Sequence, residues 1–197
     1  MEQIQLYKLP EPELKGTLFL EEAIASRRSK RRFQTKALDL KLVSQLLWAA
    51  QGITDETSKL RAAPSSGALF PVELFIMTQE GFFHYVPDNH ELELINSIDM
   101  RKSFKTAALN QEPVLQAPLS ILIFADFSRV TQKYIHHGVK YVHMEAGHIA
   151  QNILLQAAAL DLGVVCIGAF DADEVKEIVP VAEELDPLYI MPVGYTQ

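Results

Sequence analysis

A lysine and a tyrosine stand side by side, at Lys140 and Tyr141, near the start of the longest helical pattern in the chain. An amine and a phenol can take up and release protons, so the pair could serve as base and acid towards a bound substrate. A lysine in the first turn of a helix faces the positive end of the helix dipole, which is locally unfavourable. From spacing alone we favour the plainer interpretation, an exposed lysine beside a packed tyrosine, and keep the proton pair as the alternative.

Residues 27–32 contain five basic side chains in six positions, with Ser29 among them. Guanidinium groups bind phosphate with paired hydrogen bonds, and a serine hydroxyl can add another. A basic run can also bind nucleic acid, but no aromatic residue interleaves with this one and the chain is acidic overall. Because five like charges repel one another unless an anion lies among them, we favour an anion site over a solvated charged face.

Small and hydroxyl-bearing residues dominate the segment 61–71, which reads RAAPSSGALFP. Its proline, serine and glycine content predicts a loop that leads into a strand. Such a loop can press its backbone against a planar ligand, and it can equally be a plain connection.

Glu145 and His148 lie three positions apart on the same helical pattern, the spacing of a carboxylate metal site. A second such pair is missing from the sequence, so we expect both residues to pack rather than to bind metal. Cys166 lies in an apolar run and is expected to be buried and unreactive. Neither a G-x-G-x-x-G nor a G-x-x-x-x-G-K-[ST] nucleotide motif is present.

The helix that positions these groups is predicted over residues 138–163, where apolar residues recur every three or four positions. Gly163 is expected to end it in a left-handed cap. At ~1.5 Å per residue the helix would span roughly 35–40 Å. Its apolar stripe consists of Val139, Val142, Ala146, Ile149, Ile153, Ala157 and Leu160.

The remaining pattern mixes strands and helices and predicts an α+β fold with a mixed sheet. Helices are expected at 20–26, at 40–51 between an Asp39 cap and Gly52, near 100–109, from a Ser128 cap to about 137, and at 172–179 after Asp171. Strands are expected at 72–78 and 82–86 as a hairpin, and at 119–125, 164–169 and 188–193. The polar stretch 87–117 is assigned to a lid or substrate-facing region.

Length and composition limit the overall organisation. The chain has 197 residues, a net charge of −7 and a single cysteine, which suits one domain in a reducing compartment. We expect an extended arm over residues 1–17 and one domain over 18–197. No secretory signal pattern and no run of ~20 apolar residues is found, so we expect a cytoplasmic protein without membrane or nucleic-acid partners.

Four segments in order resemble the FMN-dependent nitroreductase superfamily. They are the basic R-R-S-x-R segment, the P-S-S-G-A loop, the E-A-G-H-x-x-Q-N run of the long helix, and the G-x-F-D turn after the following strand. Together they extend from about residue 18 to 195. The closest resemblance is to the SagB-type branch, which includes the azoline dehydrogenases of peptide biosynthesis.

The resemblance implies a largely antiparallel mixed sheet flanked by helices around a long central helix. It also implies a domain-swapped homodimer with FMN at the subunit interface. The implied activity is transfer of hydride between NAD(P)H, the flavin and a small acceptor such as a nitroaromatic, a quinone or an azoline-like ring. Alternatives are a flavin-storing protein without turnover, an azoline dehydrogenase that acts on a peptide, and a nucleic-acid module built on the basic run.

The resemblance also assigns site residues. Those that match the segment holding the flavin phosphate and ribityl chain are Arg27, Arg28, Ser29 and Arg31. Those that match the loop along the ring, contributed by the other subunit, are Pro64, Ser65, Ser66 and Gly67. Those that match the segment facing the ring near N5 are Ile167, Gly168 and Ala169. Lys140 and Tyr141 match the base and acid of the azoline dehydrogenases. No basic residue near Gln197 matches the one that usually reaches the phosphate, so the N-terminal arginines are expected to bind it.

Overall fold

The structure, a computed structural model that describes residues 5–197, is built around two strands that are buried on both sides. One is the strand Leu119–Asp126, in which only Asp126 is not fully buried, and the other is Val72–Thr78. Alternate side chains of a strand point to opposite faces, so such strands need a core on each side. Ile121 and Ile123 accordingly join one core, and Leu122 and Phe124 join the other.

Nine strands and seven helices follow along the described chain. The strands are β1 Leu6–Lys8, β2 Ile53–Asp55, β3 Leu60–Arg61, β4 Val72–Thr78, β5 Phe82–Val86, β6 Glu91–Asn96, β7 Leu119–Asp126, β8 Gly163–Val164 and β9 Leu185–Gly194. The helices are α1 Leu20–Ser26, α2 Leu40–Gln51, α3 Arg101–Ala107, α4 Glu112–Gln116, α5 Ser128–Thr131, α6 Gly138–Ala159 and α7 Ala172–Ile178.

Seven of the strands form one sheet in the order β1-β6-β5-β4-β7-β9-β8, and every neighbouring pair is antiparallel. A parallel bridge between Ser29 and Val164 adds the segment after α1 to the edge at β8. Helices α2 and α6 cover one face, whereas α3, α4 and α7 cover the other. The predicted α+β class and the long central helix are confirmed.

Several local predictions are also confirmed. The Asp39 carboxylate accepts a hydrogen bond from the backbone N–H of Lys41 and caps α2, and Gly52 follows that helix as its C-cap. Asp171 caps α7 through two backbone N–H groups. The hairpin β4–β5 forms as expected, with Ile76 opposite Phe83.

Four predictions are wrong in detail. Helix α6 ends at Ala159, and the left-handed residue after it is Asp161 (φ 55°) rather than Gly163. The strand expected over 164–169 is reduced to Gly163–Val164 and an isolated bridge at Ile167, although the intervening Val165 N–H still donates to the Pro192 carbonyl of β9 at 3.3 Å.

Helix α5 is only one turn long and ends at Thr131. Ser128 is its first residue rather than its cap, and the Ser128 side chain donates a hydrogen bond to Asp126. The supposed lid includes a full strand, β6, which pairs with both β5 and β1. The alternation of acidic and apolar residues in ELELIN is the sequence feature that indicates this strand.

The described part of the N-terminal arm packs on its own chain. The backbone N–H of Leu9 donates to the His90 carbonyl, and Ser44 Oγ donates to the Pro10 carbonyl at 2.5 Å. The Gln45 side chain exchanges two hydrogen bonds with the backbone of Glu13. Residues 1–4 of the predicted arm lie outside the described residues. None of the helices within 5–197 combines the length and apolarity needed to span a bilayer.

Substitution of Gly163 by alanine should destabilise the fold at the edge of the sheet. A Cβ atom there would lie 2.5 Å from Thr196 Cγ2 and 2.8 Å from Lys30 Cβ, so side chains on two segments would have to move. Overpacking of this kind costs about 1–3 kcal/mol, measurable by chemical denaturation. Gly16→Ala is the matched control, since no atom lies within 4 Å of the position that its Cβ would take. Equal unfolding free energies for the two variants would contradict the packing argument.

Candidate functional site

A pocket of about 220 Å³ lies between the segment after α1 and the C-terminal end of α6. Its lining includes the basic residues Arg27, Arg28 and Lys30, with the single carboxylate Asp161 and the hydroxyl of Thr196. Three cations against one anion give the pocket a positive balance in a chain whose net charge is −7. Such a pocket suits a small anion.

The backbone of the basic segment is fixed against strand β8. The N–H of Lys30 donates to the Val164 carbonyl at 3.0 Å, and Arg28 Nη1 donates to the carbonyls of Ala25 and Arg27. Of the four residues predicted to hold a phosphate, Arg27 and Arg28 line the pocket, whereas Ser29 and Arg31 are exposed beside it. Lys30, which was not among the predicted residues, also lines the pocket.

The loop at 64–67 has a defined conformation. Ser65 Oγ accepts a hydrogen bond from the backbone N–H of Phe70 at 2.9 Å, and a 3₁₀ turn spans Ser66–Ala68. Gly67 adopts φ 63°, and a Cβ atom on it would lie 2.8 Å from Tyr134 Oη. Glycine is therefore favoured at this position, both for its backbone conformation and for the space beside Tyr134. Pro64 and Gly67 are exposed and available to a ligand.

Beneath this loop lies Glu145, which is only 2% exposed. Burial raises the pKa of its carboxyl to about 7, although the neighbours Ser65, Gln51 and Arg61 favour the ionised form. Among the described residues, Glu145 Oε1 and Gln51 Nε2 have no hydrogen-bond partner. The sequence pattern assigns Glu145 to packing. Glu145 lies three positions after Val142, on the buried stripe of the helix, and this position is the sequence feature that indicates a buried carboxyl with a raised pKa.

The segment predicted to face the flavin ring follows the sheet edge. Ile167 is buried and exchanges two backbone hydrogen bonds with Ile190, at 2.9 and 3.0 Å. Gly168 and Ala169 are exposed, and the Ala169 carbonyl accepts a hydrogen bond from Gln111 Nε2. The half-buried Cys166 precedes them, and burial raises the pKa of its thiol.

Lys140 and Tyr141 lie in the regular first turns of α6, where the backbone N–H of Tyr141 donates to the His137 carbonyl. Neighbouring helical positions point about 100° apart. Lys140 is accordingly exposed, whereas Tyr141 is half-buried with its ring edge-on to Tyr134 at 5.3 Å between centroids. Within one chain the two side chains do not converge on each other.

The basic pocket and the hydroxyl-bearing loop lie along different halves of α6. The loop covers Glu145, whereas the pocket is lined by Ala158 near the other end of the helix. The thirteen helical steps between these residues correspond to about 20 Å. One chain therefore holds both parts of the predicted site without bringing them together.

Comparison with known proteins gives one consistent family. The model of the nitroreductase family matches residues 24–195. A nitroreductase-like protein of Methanocaldococcus jannaschii is 38% identical over 181 residues, which cover 89% of this chain and 90% of that protein. The microcin B17-processing protein McbC of Escherichia coli is 27% identical over 136 residues, or 64% of this chain and 50% of McbC.

A solved structure agrees with the fold. The crystal structure of a nitroreductase-like protein from Ralstonia eutropha JMP134 superposes with a TM-score of 0.87 at 26% identity. The superposition covers 98% of this chain and 90% of that one.

The buried carboxyl of Glu145 predicts a specific pH dependence of stability. The group titrates near 4.5 when unfolded and near 7 when folded, so its contribution is complete below pH 4.5 and is lost as the pH rises through about 7. At most about 3 kcal/mol of unfolding free energy is involved. Glu145→Gln should remove this loss.

Urea denaturation between pH 4.5 and 8 measures the effect as the difference between the two profiles. Glu177→Gln on the exposed surface of α7 is the control and should follow the wild type. If the Glu145→Gln profile runs parallel to that of the wild type, the raised pKa is refuted.

Proposed function

The chain belongs to the nitroreductase family, and we propose that it is an FMN-dependent oxidoreductase that moves hydride from NAD(P)H to a small-molecule acceptor. Bound FMN would supply the hydride-transfer chemistry, while the protein binds, orients and shields it. The observation that carries this proposal is the basic pocket beside β8, which offers three cationic side chains in an otherwise acidic chain.

The residues present fit the cofactor. A phosphate dianion is matched by Arg27, Arg28 and Lys30, with the Thr196 hydroxyl as a further donor. A flat ring system needs surfaces without bulky side chains, which Gly67 and the segment after Ile167 provide. Ser29 and Arg31 lie on the same segment and are proposed to contact the remaining phosphate and ribityl oxygens.

We propose that a second copy of the chain completes the site. Two α6 helices that run antiparallel about a two-fold axis would bring the loop of one subunit beside the basic pocket of the other. Their contact would cover apolar side chains that are exposed in one chain, Phe19 at 75%, Ile24 at 55%, Val139 at 53% and Met144 at 46%. Gly147 supports this arrangement, because nothing lies within 4 Å of the side chain it lacks.

Lys140 and Tyr141 are proposed to act on the substrate of the composite site. Lys140 Nζ would take a proton and Tyr141 Oη would donate one, as the resemblance to the azoline dehydrogenases implies. Similarity to a microcin-processing protein supports a second candidate function, oxidation of an azoline ring in a peptide. In that reaction Lys140 would take the proton that the ring loses, and bound FMN would supply the acceptor for its hydride.

The spectrum of the purified protein tests the proposed class. Flavin absorption bands, with FMN as the released cofactor, and consumption of NADH or NADPH on addition of a nitroaromatic or quinone are expected. A protein that binds FMN but oxidises neither nucleotide with any acceptor would not be an NAD(P)H oxidoreductase; assay of an azoline-containing peptide would then separate the azoline dehydrogenase from a storage protein. Absence of flavin binding would refute the proposal altogether.

Replacement of Arg27 by alanine should weaken FMN binding about tenfold or more, because it removes a charge-assisted bond to the phosphate. Riboflavin, which lacks the phosphate, should bind almost equally to both proteins. Arg32→Ala is the control, since Arg32 is exposed outside the pocket lining. Fluorescence titration measures both ligands, and an equal loss for FMN and riboflavin would contradict the phosphate assignment.

Lys140→Ala should leave FMN bound but slow turnover of the best substrate by ~10²-fold, the usual scale for loss of a general base. Reduction of the bound flavin by NAD(P)H should be unaffected, because that hydride transfer needs no protein base. Stopped-flow and steady-state kinetics separate the two half-reactions. Lys102→Ala on α3 is the control, and unchanged turnover in the Lys140 variant would remove the residue from the mechanism.

A further inference from the structure

An unusual distribution of charge surrounds the N-terminal end of α6. Residues 127–144 contain no aspartate or glutamate in a chain whose net charge is −7. The same stretch carries three fully charged cations and three histidines, which are Arg129, Lys133, Lys140, His136, His137 and His143. A local excess of positive charge on an acidic protein attracts anions to that part of the surface.

Only one of the three cations is neutralised by the described part of the chain. Arg129 forms ion pairs with Glu73 at 2.6 Å and with Asp126 at 3.2 Å. Among residues 5–197, no carboxylate lies within ion-pair distance of Lys133 or Lys140, and both side chains are exposed. The charges that face outward are therefore the two lysines.

Lys133 lies beside an aromatic ring at the hydroxyl-bearing loop. The position of a Cβ atom on Gly67 lies 2.8 Å from Tyr134 Oη and 3.1 Å from Lys133 Nζ. Lys133 Nζ also lies 5.5 Å from the centre of the Tyr134 ring. Tyr141 packs against both Tyr134 and His137, with centroid distances of 5.3 and 5.9 Å. A cationic amine and the ring of Tyr134, with Tyr141 packed edge-on against it, thus lie beside the loop.

We propose that the segment from Lys133 to Tyr141 forms the outer wall of the substrate site and selects a planar molecule that carries an anionic group. The aromatic side chains would contact the planar ring, and Lys133 would pair with the negative charge. This inference rests on the proposed function, because it takes the loop at Gly67 as the place where substrate meets flavin.

The anionic group could come from either reactant. A carboxylate on the electron acceptor and the phosphates of the nicotinamide dinucleotide would be recognised by the same amine. A matched pair of acceptors, 4-nitrobenzoate and 4-nitrobenzamide, isolates the first source because the two differ mainly in charge. NADH and the phosphate-free reduced nicotinamide riboside isolate the second.

The experiment uses the FMN-loaded protein in its native assembly. Calorimetry without reductant gives the affinity for each acceptor, and steady-state kinetics give kcat/KM for each pair. We expect the wild type to favour the anionic member of at least one pair by about fivefold or more. Lys133→Gln should abolish that preference and Lys133→Glu should reverse it, while Lys102→Gln should preserve it.

The possible results distinguish a failure of this inference from a failure of the proposed function. Loss of preference in the acceptor pair identifies a carboxylate-bearing acceptor, and loss in the nicotinamide pair identifies the dinucleotide phosphates. Turnover of neutral 4-nitrobenzamide without any charge preference, or a preference that survives Lys133→Glu in both pairs, overturns the inference and leaves the oxidoreductase intact. A protein without flavin overturns both.

Discussion

The 22-residue helix α6 is a rigid element that holds the two parts of the candidate site apart within one chain. The loop at Gly67 packs near its first half, and the basic pocket lies near its last turns. A helix of this length does not bend back on itself, so we propose that the loop of a second copy of the chain completes the site beside the pocket. The exposed apolar side chains along α1 and α6 are the surface that such a copy would cover.

Charge is unevenly distributed over the chain. The chain is acidic overall, yet it concentrates cations in the pocket beside β8 and around the start of α6. In an antiparallel pair of helices these two basic regions would approach each other from different subunits. Beneath the loop at Gly67 lies the buried carboxyl of Glu145, which its raised pKa keeps partly neutral near pH 7. A site of this kind suits a cofactor and a substrate that both carry negative charge.

Sequence patterns predicted the features that depend on local interactions. The buried stripe of α6 from Val142 to Ala157, the caps at Asp39 and Asp171 and the β4–β5 hairpin each follow from neighbouring residues. Val139, which the pattern also assigned to the stripe, is 53% exposed. Features set by tertiary contacts were missed. Gly163 is constrained by Thr196 and Lys30 rather than by a helix cap.

The candidate site shows the same limit. Its individual segments could be recognised in the sequence by their resemblance to a family. The sequence could not show that Glu145 is buried or that Lys30 lines the pocket, because both features depend on segments that are distant in sequence. The convergence of Lys140 and Tyr141 stays a prediction, because it depends on a second chain and a bound ligand.

Subunit complementation tests the composite site most directly. One variant carries Arg27→Ala and Arg28→Ala in the pocket, and the other carries Gly67→Val in the loop; each homodimer should fail to bind FMN. Heterodimers purified with two different tags would contain one undamaged pocket facing one undamaged loop, so they should bind one FMN per dimer. If the site lay within a single chain, both sites of the heterodimer would be damaged. A heterodimer without flavin, or a stable monomer loaded with FMN, would contradict the account.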